Sequence, residues 1–365
     1  MSWQELRSVL LNFRVLVGFS ANICKYYDNM EIGTVTNDKG VIIVSRPKIV
    51  ITRKIPESYV HKFMEQFEVV MWSYEDQPAS REFLLKEVQD ASAILSMLSD
   101  SIDQELLSHG KELKVVANMA VGYDNIDVKT AKNLGITVCN TPDILSDTTA
   151  DLVFALLMVT ARRIVEAAEF VKQGKWVSWS PYLLSGYDIH HKTIGIVGMG
   201  KIGEAIAKRA TGFDLKILYY NRSRKPDPEQ KLGAEYADFE TLIKESDFIV
   251  CMIPLNKETK GLFGEKEFKK MKKTAIFINA ARGAVVDESA LITALEAGEI
   301  AGAGLDVFEK EPIDASHPLL RFPNVVALPH IGSASLETRS AMIQLCCENI
   351  MNVLSGERPK TEVKG

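Results

Sequence analysis

Cysteine is scarce in this chain, and no pairing pattern is visible. Cys24, Cys139, Cys251, Cys346 and Cys347 are the five among 365 residues, with no C-x-x-C spacing. An odd, scattered set argues against a disulfide framework. Cys139 and Cys251 sit in apolar runs, as small buried hydrophobes in a reducing compartment do. No Cys/His cluster has ligand spacing, so no metal is expected. A basic surplus is also missing: the formal net charge is −5, which speaks against nucleic acid as the main partner. No apolar run reaches the roughly 18 residues of a membrane span. The expectation is a cytoplasmic protein with neither a membrane nor a nucleic acid as partner.

What is present is ordinary for a globular chain, with 46% hydrophobic and 25% charged residues. The length suggests about two domains. Residues 1–45 stand apart as an extension of unknown role. "LRSVLLNFRVLVGFS" is apolar with arginines near it, but it lacks a small-residue cleavage site, so no signal or transit peptide is expected. A later translation start at Val44 is the other reading of this stretch. From "RPKIVITRKIP" onward short apolar runs alternate with helical periodicity. "KIVIT", "AILSML", "KVVANM" and "ITVCN" read as strands. "SYVHKFMEQF" reads as a helix, as does "NIDVKTAKNLG", starting near Asn125 and closed by Gly135. This βαβ rhythm predicts a parallel sheet covered on both faces.

One long helix is predicted over 148–164, "TTADLVFALLMVTARRI", capped by Ser146 or Asp147, with Pro142 before it at a domain boundary. Six further strands follow: "TIGIVGMG", "KILYYN", "FIVCMIP", "AIFINAA", "GAGLDVF" and "VVALPH". They make a full doubly wound dinucleotide-binding (Rossmann) fold. The division expected is 46–146 for the first part of a substrate domain and 147–329 for the cofactor domain. Residues 330–358 return to the first domain, with a cleft between the two.

Gly198, Gly200 and Gly203 form G-x-G-x-x-G after an apolar strand and before the helical run "KIGEAIAKRA". Gly198 permits the tight turn, Gly200 lets the backbone approach a pyrophosphate, and Gly203 lets helix and strand pack. The helix N-terminus offers N–H groups to phosphates. The next strand ends at Asn221, 23 residues after Gly198, where a carboxylate would mark NAD and repel the 2′-phosphate of NADP. Asn221 removes that repulsion. Arg222 and Arg224 can add charge-assisted bonds to the phosphate, and Ser223 a hydroxyl bond. Exposed ion pairs contribute ~1 kcal/mol or less each, but each ~1.4 kcal/mol is a tenfold preference. NADP(H) is therefore the preferred cofactor, with NAD(H) still usable.

Three polar residues stand at or just beyond late strand ends, where open α/β sheets place ligands: Arg282, Glu311 and His330. Arginine can clamp the carboxylate of a 2-oxo acid with two parallel bonds. Histidine can give a proton to the carbonyl oxygen near neutrality. Glu311 can hold the far ring nitrogen. Asp306 can accept from the nicotinamide carboxamide. Earlier in the chain, the Val121 and Gly122 N–H groups in "ANMAVGYDNID" can bind a carboxylate. Leu98 in "SMLSD" can touch a small substrate side group.

The stretches "MAVGYDNID", "NTPDILSDTTADL", "GIVGMGKIG", "FINAARGAVVDE", "AGAGLDVFEKEP" and "LPHIGSAS" make residues 46–358 resemble the D-isomer-specific 2-hydroxyacid dehydrogenases. "SMLSDSID", "TPDILSDTTAD" and "WSPYLLSGYDI" resemble the glyoxylate/hydroxypyruvate reductase branch. The resemblance implies a flavodoxin-like substrate domain beside the cofactor domain and Arg282, Glu311 and His330 as the catalytic set. It also implies cofactor contacts at Gly200, Lys201, Ile202, Asn221, Arg222, Ser223, Ala280, Ala281, Arg282, Asp306, His330 and Gly332. It further implies homodimers through the cofactor domain, with Trp179 reaching the neighbour's site. NAD-dependent D-3-phosphoglycerate dehydrogenase is a rival that usually carries an acid at the second strand end and often an added domain; Asn221 and the short stretch after residue 358 disfavour it. Glu311 disfavours formate dehydrogenase, which has glutamine there. A dinucleotide-sensing corepressor-like protein is the rival from outside the enzymes.

Overall fold

A computed structural model describes residues 34–36, 42–44 and 46–364. The questions of a leader or a later start, and Cys24, concern residues that lie largely outside these. Within the extension, strands β1 (Thr34–Thr36) and β2 (Ile42–Val44) pair antiparallel, with Val35 opposite Ile43. The regular structure thus begins before residue 46.

The chain divides into two compact units. One comprises residues up to Thr141 together with Ser340 onward; the other is Pro142–Arg339. The first holds β3 (Lys48–Ile51), β4 (Glu68–Met71), β5 (Ala91–Ser96), β6 (Val115–Asn118) and β7 (Thr137–Cys139). They run parallel in the order β4-β3-β5-β6-β7, the flavodoxin-type arrangement. Runs such as Val115–Asn118 are buried along their whole length, as a sheet covered on both faces demands. The open edge of β7 is covered by the tail: Val363 N–H donates to Val138 O at 2.8 Å, and Glu362 bridges Cys139 antiparallel. Strand β4 was not foreseen. The helix expected near Asn125 begins at Val128, because Asp127 is its cap and accepts from the Thr130 N–H.

The second unit holds β8 (Thr193–Val197), β9 (Lys216–Tyr220), β10 (Glu235–Tyr236), β11 (Phe248–Cys251), β12 (Ile276–Asn279), β13 (Gly302–Leu305) and β14 (Val325–Ala327). All pair parallel, in the order β10-β9-β8-β11-β12-β13-β14. Six strands were expected; the seventh, β10, is a two-residue edge strand. Period-2 alternation sends neighbours into separate cores. Ile196, Ile217, Val250 and Ile278 face one core with the helix Ser146–Ala161. Val197, Leu218, Ile249 and Phe277 face the other. The strand order reverses at β8, so the loop leaving its C-terminal end lies at the switch point where such sheets bind ligands.

The long helix departs from expectation at both ends. It starts at Ser146 after Leu145, with no side-chain cap, and stops at Ala161. Arg163 then takes a left-handed conformation at φ 51°, and a new helix runs Ile164–Lys172. The returning chain causes the stop: Tyr187 N–H donates to Ala161 O at 2.9 Å, and Gly186 packs so close that a Cβ would lie 2.2 Å from that oxygen.

Candidate active site

The glycine turn after β8 has the geometry that its spacing predicts. Gly198 has φ 108°, and a Cβ there would lie 2.6 Å from Met252 O. A Cβ on Gly203 would lie 2.2 Å from Gly198 O, so only glycine lets the helix Lys201–Thr211 pack on the turn. Gly200 differs: a Cβ there meets nothing within 4 Å. The surface beside it is open, and Gly200 caps the helix without a side chain. Glu204 N–H bonds back to Gly200 O at 2.9 Å, which leaves the N–H groups of Lys201, Ile202 and Gly203 at a first turn with no internal acceptor. An open backbone cradle under a positive helix end fits a dinucleotide pyrophosphate.

At the end of β9, the Asn221 side-chain amide donates to Ser223 O at 3.0 Å. Arg222 and Ser223 are exposed, and Arg222 makes no ion pair among the described residues. Arg224 is engaged: its Nε and Nη2 donate to Glu229 at 3.1 and 2.8 Å, and its guanidinium stands 5.9 Å over the Tyr236 ring.

Late in the same unit, three strand exits bring the polar set together. Beyond β12, the buried Asn279 side chain accepts from Ala281 N–H and donates to Arg282 O, bracing the turn that contains Ala280, Ala281 and Arg282. Gly283 lies against the next loop, where a Cβ would fall 1.8 Å from Phe308 C. That loop carries Glu311, whose Oε1 accepts from Phe308 N–H at 3.1 Å and whose Oε2 lies 2.8 Å from His330 Nδ1. Nε2 of His330 has no partner among the described residues. Burial pushes the Glu311 carboxyl up, but the hydrogen bond and charge of His330, the Phe308 N–H and nearby Arg282 outweigh it and hold the group below its ordinary value. Arg282 also donates from Nη1 to Ala281 O at 2.8 Å.

Asp306 is buried, and its carboxylate holds the backbone. Its two carboxylate oxygens accept from Ile331 and Gly332 N–H, each at 2.8 Å. These bonds fix the turn next to His330, which has a positive φ of 55°. Desolvation raises the Asp306 carboxyl despite these two bonds. Asn279 and Thr149, which abuts Gly332, were not singled out from the sequence.

In the first unit, Leu98 is half-buried in a loop held from several sides. Asp100, buried, accepts from Met97 N–H at 2.7 Å and from the Thr52 hydroxyl. The Asn125 side chain donates to Met97 O, Asp100 O and Asn118 Oδ1, and it accepts from Asn118 Nδ2. Asn118 holds Gly122 O at 2.9 Å, and Asn140 holds Val121 O at 2.8 Å. The N–H groups of Val121 and Gly122 donate to no acceptor among the described residues. Asn118 and Asn125 lie within "ANMAVGYDNID", but the sequence reading used only that stretch's backbone. Trp179 lies in the second unit, in a segment without helix or strand, and is 79% exposed.

Known proteins match this arrangement. A family model described as the NAD binding domain of D-isomer specific 2-hydroxyacid dehydrogenase matches residues 154–332. A glyoxylate reductase of Thermococcus litoralis is 51% identical over 318 residues, 86% of this chain and 96% of that protein. One of Korarchaeum cryptofilum is 50% identical over 315 residues, 86% of this chain and 95% of that protein. Among solved structures, a Thermus thermophilus protein superposes with a TM-score of 0.82 at 39% identity, over 87% of this chain and 100% of that one. The NADPH-dependent glyoxylate/hydroxypyruvate reductase of Sinorhizobium meliloti, in complex with NADP and malonate, gives 0.78 at 35%, over 87% and 97%. With the glycine turn, both parallel sheets and these relatives in agreement, the chain belongs to the D-isomer-specific 2-hydroxyacid dehydrogenases, NAD(P)-dependent oxidoreductases.

Proposed function

We propose that the protein reduces glyoxylate and hydroxypyruvate to glycolate and D-glycerate, with NADPH preferred. The observation that carries this is the His330–Glu311 pair: Nδ1 is held by a carboxylate at 2.8 Å, and Nε2 is left for a substrate. The bound nicotinamide supplies the hydride. His330 gives the Nε2 proton to the carbonyl oxygen, and the Glu311 carboxylate holds Nδ1 and fixes the ring's orientation throughout. Arg282 has five N–H donors in a fixed fork, suited to the carboxylate of a 2-oxo acid. In the first unit, the Val121 and Gly122 N–H groups are open donors suited to a carboxylate, and Leu98 is half-buried in the neighbouring loop. Lys201 and Ile202 hold the pyrophosphate, Arg222 and Ser223 the 2′-phosphate. The glyoxylate reductases among the relatives support the substrate, and the NADP-bound relative supports the cofactor.

The same reading takes the protein as a cytoplasmic homodimer through the cofactor unit. Ile164, Val171, Trp176, Val177, Trp179 and Tyr182 are exposed there, apolar side chains of the kind a second copy covers. Cys139, Cys251, Cys346 and Cys347 are buried free thiols, as a reducing compartment allows. Among the described residues no helix is long and apolar enough to cross a membrane. Chiral analysis of the glycerate formed from hydroxypyruvate tests the reaction. D-glycerate is expected; the L isomer, or no glycerate, would refute the reading.

A further inference from the structure

We propose that Glu229 sets the cofactor selectivity by holding Arg224 off the 2′-phosphate, so that Arg222 and Ser223 read the phosphate without it. The proposal rests on the NADPH reading above. Four basic or hydroxyl side chains follow β9, and they are not equivalent. Arg222 and Ser223 are exposed side chains with no bond to another group among the described residues. Arg224 instead spends Nε and Nη2, one edge of its fork, on the two oxygens of Glu229. A guanidinium binds carboxylate and phosphate through the same paired N–H groups, so engagement with one competes with the other.

Position in the sheet reinforces this. Arg224 stands over Tyr236 on β10, and β10 pairs with β9 on the side opposite β8, whose exit forms the glycine turn. The charge is drawn toward the sheet edge, away from the strand that leads to the cofactor. Glu229 is itself anchored: the hydroxyl of the fully buried Tyr219 donates to its Oε1 and accepts from Lys225 N–H at 2.7 Å. Glu229 therefore lowers the preference for NADPH through Arg224, and its removal raises it.

The test compares kcat/KM for NADPH with that for NADH, at one 2-oxo acid, across wild type, Glu229→Gln, Arg224→Ala and the double variant. Glutamine keeps an acceptor for the Tyr219 hydroxyl, and thermal unfolding checks that each variant is folded. The NADPH-to-NADH ratio is expected to rise several-fold in Glu229→Gln, to change little in Arg224→Ala, and to rise no further when Glu229→Gln is added to Arg224→Ala. An unchanged or lower ratio in Glu229→Gln overturns the proposal, as does an equal rise with Arg224 absent. Arg222→Ala tests the underlying reading separately. A ratio unaffected there removes the phosphate reading and this proposal together; a fall there without a rise in Glu229→Gln overturns this proposal alone.

Discussion

His330 adopts a backbone conformation that few non-glycine residues occupy, at φ 55°. Such strain persists only where the surroundings over-determine it. Here Asp306 grips the next two N–H groups, and Glu311 grips the ring. The sequence showed that an acid and a histidine belong near these strand exits. It could not show that Asp306 serves the backbone, because that depends on two amides from a loop 25 residues on. Replacing His330 by glutamine removes the proton donor but keeps a polar side chain. Steady-state kinetics are expected to show kcat lower by about 10²–10⁴, the usual share of general acid–base catalysis, with the NADPH KM little changed. The pair also ties stability to pH. The Glu311 carboxyl lies below its ordinary value of 4.5 when folded, so its contribution is present above 4.5 and is lost as pH falls through the folded value. Urea midpoints measured from neutral pH downward should therefore fall more steeply below 4.5 in wild type than in His330→Phe.

At the scale of elements, the glycine turn was the most legible feature. The strand–turn–helix context alone points to a tight turn at Gly198 and close packing at Gly203, and the structure has both, with φ 108° and a 2.2 Å approach. Gly203→Ala should cost about 1–3 kcal/mol as an overpacked contact and weaken cofactor binding; calorimetric titration with NADPH reads both the loss and any retained affinity. The loops of the first unit were only half legible. Val121 and Gly122 could be named from the backbone, but the Asn118–Asn125 bridge joins positions brought together by the fold. Asn125→Ala frees the carbonyls of Met97 and Asp100 together. It is expected to raise the glyoxylate KM well above any change in the NADPH KM, whereas equal changes would mean that Asn125 only supports folding. The break at Arg163 was not legible, since "TARRIVEAAEF" continues in helix-favouring residues. The cause is Tyr187 returning to Ala161 O from 26 residues away.

For the whole molecule, the fold class could be read because parallel strands buried on both faces form continuous apolar runs. Of the strands that escaped, β4 and β10 are edge strands of their sheets, half-exposed or exposed. The residues proposed to hold the cofactor fall in one unit, past the C-terminal ends of its strands, with the glycine turn where the strand order reverses. The substrate and the cofactor preference rest on finer matters, of which the engaged Arg224 is one. The most direct measurement is NADPH oxidation by the purified protein near neutral pH with glyoxylate, hydroxypyruvate and pyruvate in turn, repeated with NADH. Fast turnover of the first two substrates, higher with NADPH than with NADH, is the predicted result. No turnover of glyoxylate or hydroxypyruvate with either cofactor would contradict the account.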